Sequence, residues 1–73
     1  MTEDITSIVL KQSPTELYKI LKFEGLVASG GEAKLVIADG QVTVNGSTET
    51  RKRKKIISGD IITFDNHSLH ITS

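Results

Sequence analysis

The apolar positions of this chain change period several times, and each change predicts an element. Ile5, Ile8, Val9 and Leu10 crowd a β-branched segment that reads as a first strand over 5–10. A helix is expected next. Ser13 stands at its N-cap, Pro14 at the first helical position, where a missing N–H costs nothing, and Glu16 completes a capping box. Leu17, Ile20 and Leu21 form its buried stripe, Lys19 and Lys22 lie on the far side, and Gly25 stops it. Leu26-Val27-Ala28 is an apolar linker into a second helix. Ser29 caps that helix with Glu32 three residues on, Ala33, Val36 and Ile37 share its apolar face, and Gly40 ends it. Leu35 falls roughly opposite this face, so either another element covers it or it is exposed.

Period two then replaces the helical period. Gln41-Val42-Thr43-Val44 alternates as a half-buried strand, and Asn45-Gly46 is the signal for a tight hairpin turn, where both residues take positive φ. Ser47-Thr48-Glu49-Thr50 returns as a polar segment, Ile56-Ile57 re-enters the core, and Ser58-Gly59-Asp60 turns the chain. Ile61-Ile62-Thr63-Phe64 reads as a central strand or one buried on both faces, and Asp65-Asn66 as a turn. In the last strand Leu69 and Ile71 share one face, opposite Ser68, His70 and Thr72. The expected architecture is α+β: one domain over 1–73, with two short helices packed on a small, mostly antiparallel sheet.

Charge sharpens this picture. Nine cations balance nine anions, but five of the cations are consecutive, Arg51-Lys52-Arg53-Lys54-Lys55. The rest of the chain keeps four cations against nine anions, a net of −5, so positive charge is directed to one place. With 73 residues and no cysteine, neither disulfides nor thiolate metal sites reinforce the core. No apolar run approaches the roughly 18 residues of a membrane span. The acidic start Met1-Thr2-Glu3-Asp4 lacks the pattern of a signal peptide, which makes a soluble cytoplasmic protein the expectation.

Several of these residues together resemble the RNA-binding domain first seen in ribosomal protein S-four. They are Leu17 to Leu21, Gly25, Ser29, Ala33-Lys34, the run Gly40-Gln41-Val42-Thr43-Val44-Asn45-Gly46, and Gly59-Asp60-Ile61-Ile62. The match spans about residues 13–64. With Glu49 to Ile56 included, the chain is similar to the small stand-alone bacterial members of that superfamily, the YbcJ/YaaA type. The resemblance implies the S-four-like αL fold. It also implies binding to structured RNA, ribosomal or transfer RNA, through the two helices and the loop beside the sheet. The serine before the second helix is commonly followed by arginine in this family and here by Gly30, while the later basic position is kept as Lys34. That departure shifts the expected contact toward residues 51–55.

The candidate RNA contacts are therefore Arg51, Lys52, Arg53, Lys54 and Lys55, with Lys34, Ser29 and Gly30. Lysine and arginine neutralise phosphates and release counterions, and arginine adds bidentate contacts. The same basic run is also what a solvated loop looks like. Gly30-Gly31 can open a helix N-terminus to a phosphate or permit a tight helix crossing, and both readings stand. Lys19 and Lys22 read as ordinary solubilising residues. His67 and His70 point to opposite faces of a strand and do not form a metal pair, so no metal or cofactor is expected. No nucleophile–base motif, P-loop or dinucleotide pattern is present, so catalysis and a small-molecule substrate are not expected. With only Tyr18, Phe23 and Phe64 as aromatics, a platform of stacked single-stranded bases is disfavoured. The first expectation is a monomeric module for structured RNA, free or on a ribosomal particle. The alternative is a protein-interaction adaptor whose basic block docks an acidic partner without RNA. A ubiquitin-like carrier ranks below both, because Ile71-Thr72-Ser73 is no diglycine tail.

Overall fold

The computed structural model describes residues 4–72. Residues 1–3 and 73, on which the expectations about a leader and a tail partly rest, lie outside it. Strand β1 (Asp4–Val9) leads through a short β2 (Thr15–Glu16) into helices α1 (Leu17–Phe23) and α2 (Gly30–Ala38). Strands β3 (Val42–Val44), β4 (Ser47–Thr48), β5 (Lys55–Ile56), β6 (Ile61–Phe64) and β7 (His67–Thr72) follow. Five of them form one sheet in the order β1-β7-β6-β3-β4, while β2 and β5 make a separate two-stranded ribbon. Among the described pairs only β1 and β7 run parallel, with Ile5 opposite Ser68 and Ile8 opposite Ile71. The fold is α+β, two helices on a mostly antiparallel sheet.

One core joins the layers. Leu17, Ile20 and Leu21 of α1 and Ala33 and Ile37 of α2 are buried against Val42, Val44, Ile62, Leu69 and Ile71 of the sheet. Val27 from the linker is buried too, and Ile56 closes the core beside the basic run. Each large side chain taken from water contributes about 1.5–3 kcal/mol. That burial, more than helix propensity, holds two helices this short.

The second helix opens as its sequence predicts. The Ser29 hydroxyl accepts from the Glu32 N–H at 3.1 Å, and Glu32 Oε1 accepts from the Ala28 N–H at 3.0 Å. Gly40, at φ +81°, follows its end. In the hairpin Asn45 and Gly46 have φ of +54° and +85°, and Val44 stands opposite Ser47. Leu35 is exposed.

The first helix opens differently. Ser13 and Pro14 are not its cap and first residue: their peptide is cis, Thr15 and Glu16 are extended, and α1 starts at Leu17. Glu16 occupies the N-cap position without a side-chain cap bond. The orphan donors that a local cap would satisfy are taken by a distant segment. The Leu17 N–H donates to the Lys54 carbonyl at 2.9 Å, and the Tyr18 N–H to that of Lys52 at 3.1 Å.

Three smaller expectations also change. Ile56 is fully buried but Ile57 is exposed, because extended residues alternate across the β5 segment. Strand β6 is central, yet Ile61 lies partly exposed and only Ile62 is fully covered. Ser68 is buried rather than on an open face: in β7 it is flanked by Ile5 and Thr63, and its hydroxyl lies 3.4 Å from that of Thr63. His67 and His70 both belong to β7 and are half-buried.

Candidate RNA interface

The basic run is fastened at both ends and in the middle. Lys55 and Ile56 pair antiparallel with Glu16 and Thr15, and the Lys54 N–H donates to the Arg51 carbonyl at 3.1 Å to close a turn. The carbonyls of Lys52 and Lys54 are committed to the first two residues of α1, as described above. Backbone atoms thus anchor the loop and leave its side chains outward: Arg51, Lys52, Arg53 and Lys55 are exposed and Lys54 is half-buried.

Two carboxylates organise these cations. Glu49 grips Arg51 with both oxygens, at 2.9 Å to Nε and 3.3 Å to Nη2, and its Oε2 also accepts from the Arg51 N–H at 3.1 Å. That hydrogen bonding holds the Glu49 carboxyl below its ordinary range and raises the Arg51 guanidinium further. Glu16 faces three cations: Lys19 Nζ at 3.3 Å, Arg53 Nε at 3.9 Å and Lys55 Nζ at 3.9 Å. Partial desolvation pushes its carboxyl up, but Lys19, Lys55 and Arg53 outweigh this and leave it lowered. Among the described residues Lys52 is exposed and makes no ion pair in this set, so its charge is the most available to a polyanion, whereas Lys54 is half-buried and its charge helps to hold the Glu49 carboxyl down.

Lys34 lies across the helix pair from the loop. Its ammonium stands 4.8 Å over the Tyr18 ring, and that of Lys19 stands 6.0 Å from it. Tyr18 connects the two parts of the surface, since its backbone N–H bonds Lys52 while its ring carries Lys34. Ser29 and Gly30 sit at the start of α2 beside this ring. A Cβ on Gly30 would meet Tyr18 and Lys22 at 3.9 Å, and one on Gly31 would meet the Ser29 hydroxyl at 3.8 Å. These are ordinary contacts, so a tight helix crossing is not what the two glycines serve.

Sequence reading passed over Tyr18, Glu16 and Glu49 as site residues. A signal for Glu49 was present, because residues 49 and 51 of an extended segment point to the same side. Glu16 had no such signal, since its approach to Arg53 and Lys55 depends on a pairing between segments about forty residues apart in sequence. No group of three or more metal-ligating side chains occurs among the described residues, and no helix there is long and apolar enough to cross a membrane.

Comparison with known proteins places this arrangement. The family model of the S4 domain matches residues 8–72. The chain belongs to the S4 domain family. Its S4 relatives include YbcJ of Escherichia coli (strain K12), 46% identical over 63 residues, covering 86% of this chain and 90% of that protein. The tyrosine–tRNA ligase of Burkholderia lata is 35% identical over 60 residues, which cover 82% of this chain but 14% of the ligase. The solution structure of E. coli YbcJ, described as revealing an αL motif involved in RNA-binding, superposes with a TM-score of 0.68 at 41% identity. It is matched over 100% of this chain and 91% of that one.

Proposed function

We propose that this S4 chain is a non-catalytic module that binds structured RNA, ribosomal or transfer RNA, as a cytoplasmic monomer. Recognition is by phosphate and shape. Arg51, Lys52, Arg53, Lys54 and Lys55 supply one positive arm and Lys34, with Ser29 and Gly30 at the start of α2, the other. The observation that carries this reading is the clamping of the basic loop onto the first turn of α1. A backbone-fixed row of cations presents charge at defined spacing, which suits a folded polyanion better than a loose tail would. The αL motif involved in RNA-binding described for E. coli YbcJ supports the same reading, and the tyrosine–tRNA ligase similarity supports transfer RNA as one candidate.

The test is binding to a folded RNA, to duplex DNA and to heparin across a salt series. Folded RNA is expected to be preferred at near-physiological salt, with a log–log slope of about −0.7 to −0.9 per phosphate neutralised. Replacing Arg51 and Arg53 together by Ala is expected to weaken RNA binding and flatten that slope by about two such increments, with the fold retained by circular dichroism and a melting temperature lowered only by the loss of the Arg51–Glu49 and Arg53–Glu16 pairs. Equal release of all three polyanions, or unchanged affinity in the double variant, would defeat the proposal.

A further inference from the structure

A groove of about 660 Å³ runs beside α1, and no residue of α2 lines it. Glu16, Lys19, Ile20 and Phe23 recur at helical spacing along one wall. Val9, Leu10 and Pro14 lie on the other, where the chain leaves β1 and approaches β2. The volume falls in the usual range for ligand clefts, about 300–1,000 Å³. Two of its apolar residues are left uncovered by the fold: Phe23 is 72% exposed and Val9 66%. Lys11, Lys19 and Lys55 supply positive charge at the groove, and Lys55 belongs to the basic loop itself. The groove thus adjoins the loop through Lys55, and its lysines stand with Glu16 and Glu24 beside the uncovered Phe23 and Val9.

We infer that this groove receives a single unpaired nucleotide of the RNA that the basic loop holds, an inference that rests on the RNA-binding reading above. The base lies against the Phe23 ring, and its phosphate lies toward Lys19, Lys55 and Lys11. From Leu17 to Phe23 the helix advances about 9 Å, which separates the two ends on the scale of one nucleotide. The phosphate displaces Glu16 from Lys19 and Lys55, whose contacts of 3.3 and 3.9 Å are exchangeable surface pairs. Glu24, next to Phe23, repels a phosphate and accepts from a base N–H, which sets the direction of the nucleotide. The scarcity of aromatics excludes a run of stacked bases, but one ring suffices for one base.

The experiment compares two hairpin RNAs that differ only by a one-nucleotide bulge of 2-aminopurine, at near-physiological salt. The full chain is expected to bind the bulged hairpin about tenfold more tightly, the worth of one base–aromatic stack, with a change in 2-aminopurine fluorescence. Phe23→Ala, whose fold is checked by circular dichroism, should erase both effects and bind the fully paired hairpin as wild type does. Lys11→Ala should reduce the bulge preference without touching the ring. If the wild type binds both hairpins alike, the groove proposal is overturned while the RNA-binding reading stands. If it binds neither, both fall. If Phe23→Ala leaves the bulge preference intact, or instead changes the sedimentation of the free protein, the groove is no nucleotide site.

Discussion

At the scale of single residues, the basic loop is shaped by its carboxylates as much as by its cations. Glu49 holds Arg51 in a two-pronged contact, and Glu16 gathers Lys19, Arg53 and Lys55. Both carboxyls titrate below the ordinary 4.5 in the folded protein. Each therefore contributes stability that is present above the unfolded value and is lost as pH falls through the folded one. Glu49→Gln is accordingly expected to melt at a lower temperature than wild type at about pH 7, with the gap closing once the pH has fallen through the lowered folded value. Thermal melts across a falling pH series check this, and a gap that persists in acid would refute the pairing. The local half of this arrangement was visible in the sequence, since Glu49 and Arg51 are two residues apart. Glu16 was visible only as a supposed member of a capping box.

At the scale of elements, the two helices were equally well signposted and only one followed its signposts. Around α2 the cap, the face and the glycine stop all lie within a dozen residues, and no other segment competes for its first donors. Ser29→Ala should remove the bond from Glu32 and cost about 1 kcal/mol, read as a shift of the urea midpoint at unchanged slope. For α1 the local cap competes with the basic loop, and the loop wins. Its carbonyls at Lys52 and Lys54 satisfy the helix donors while Thr15 and Glu16 pair with β5. The Asn45-Gly46 turn shows a milder version of the same effect. Its conformation was readable, but the Asn45 side chain also donates to Asp60 Oδ1 at 3.0 Å and accepts from the Ile61 N–H at 2.8 Å. Asp60 Oδ2 in turn accepts from the Ile57 N–H at 3.0 Å, so one turn braces the next.

At the scale of the whole molecule, Ile56 couples the core to the basic loop. It is fully buried next to Lys55, whereas its neighbour Ile57 is about half exposed. Ile56→Ala is expected to cost about 2–5 kcal/mol, a large share of the roughly 5–15 kcal/mol that holds a domain together. Ile57→Ala should stay within about 0.5 kcal/mol. Chemical denaturation of the pair measures both, and equal losses would mean that the loop is not anchored through Ile56.

The sequence by itself determined what depends on neighbours a few residues apart. It set the cap and stop of α2, the buried stripe Leu17-Ile20-Leu21, the left-handed Asn45-Gly46 turn and the concentration of cations at 51–55, because backbone conformation and local charge are short-range properties. Tertiary structure alone decided the parallel pairing of β1 with β7, the ribbon of β2 with β5, the late start of α1 and the groove beside Phe23. Those features turn on which distant segment reaches a given hydrogen-bond donor or apolar face first, and neither spacing nor propensity carries that information.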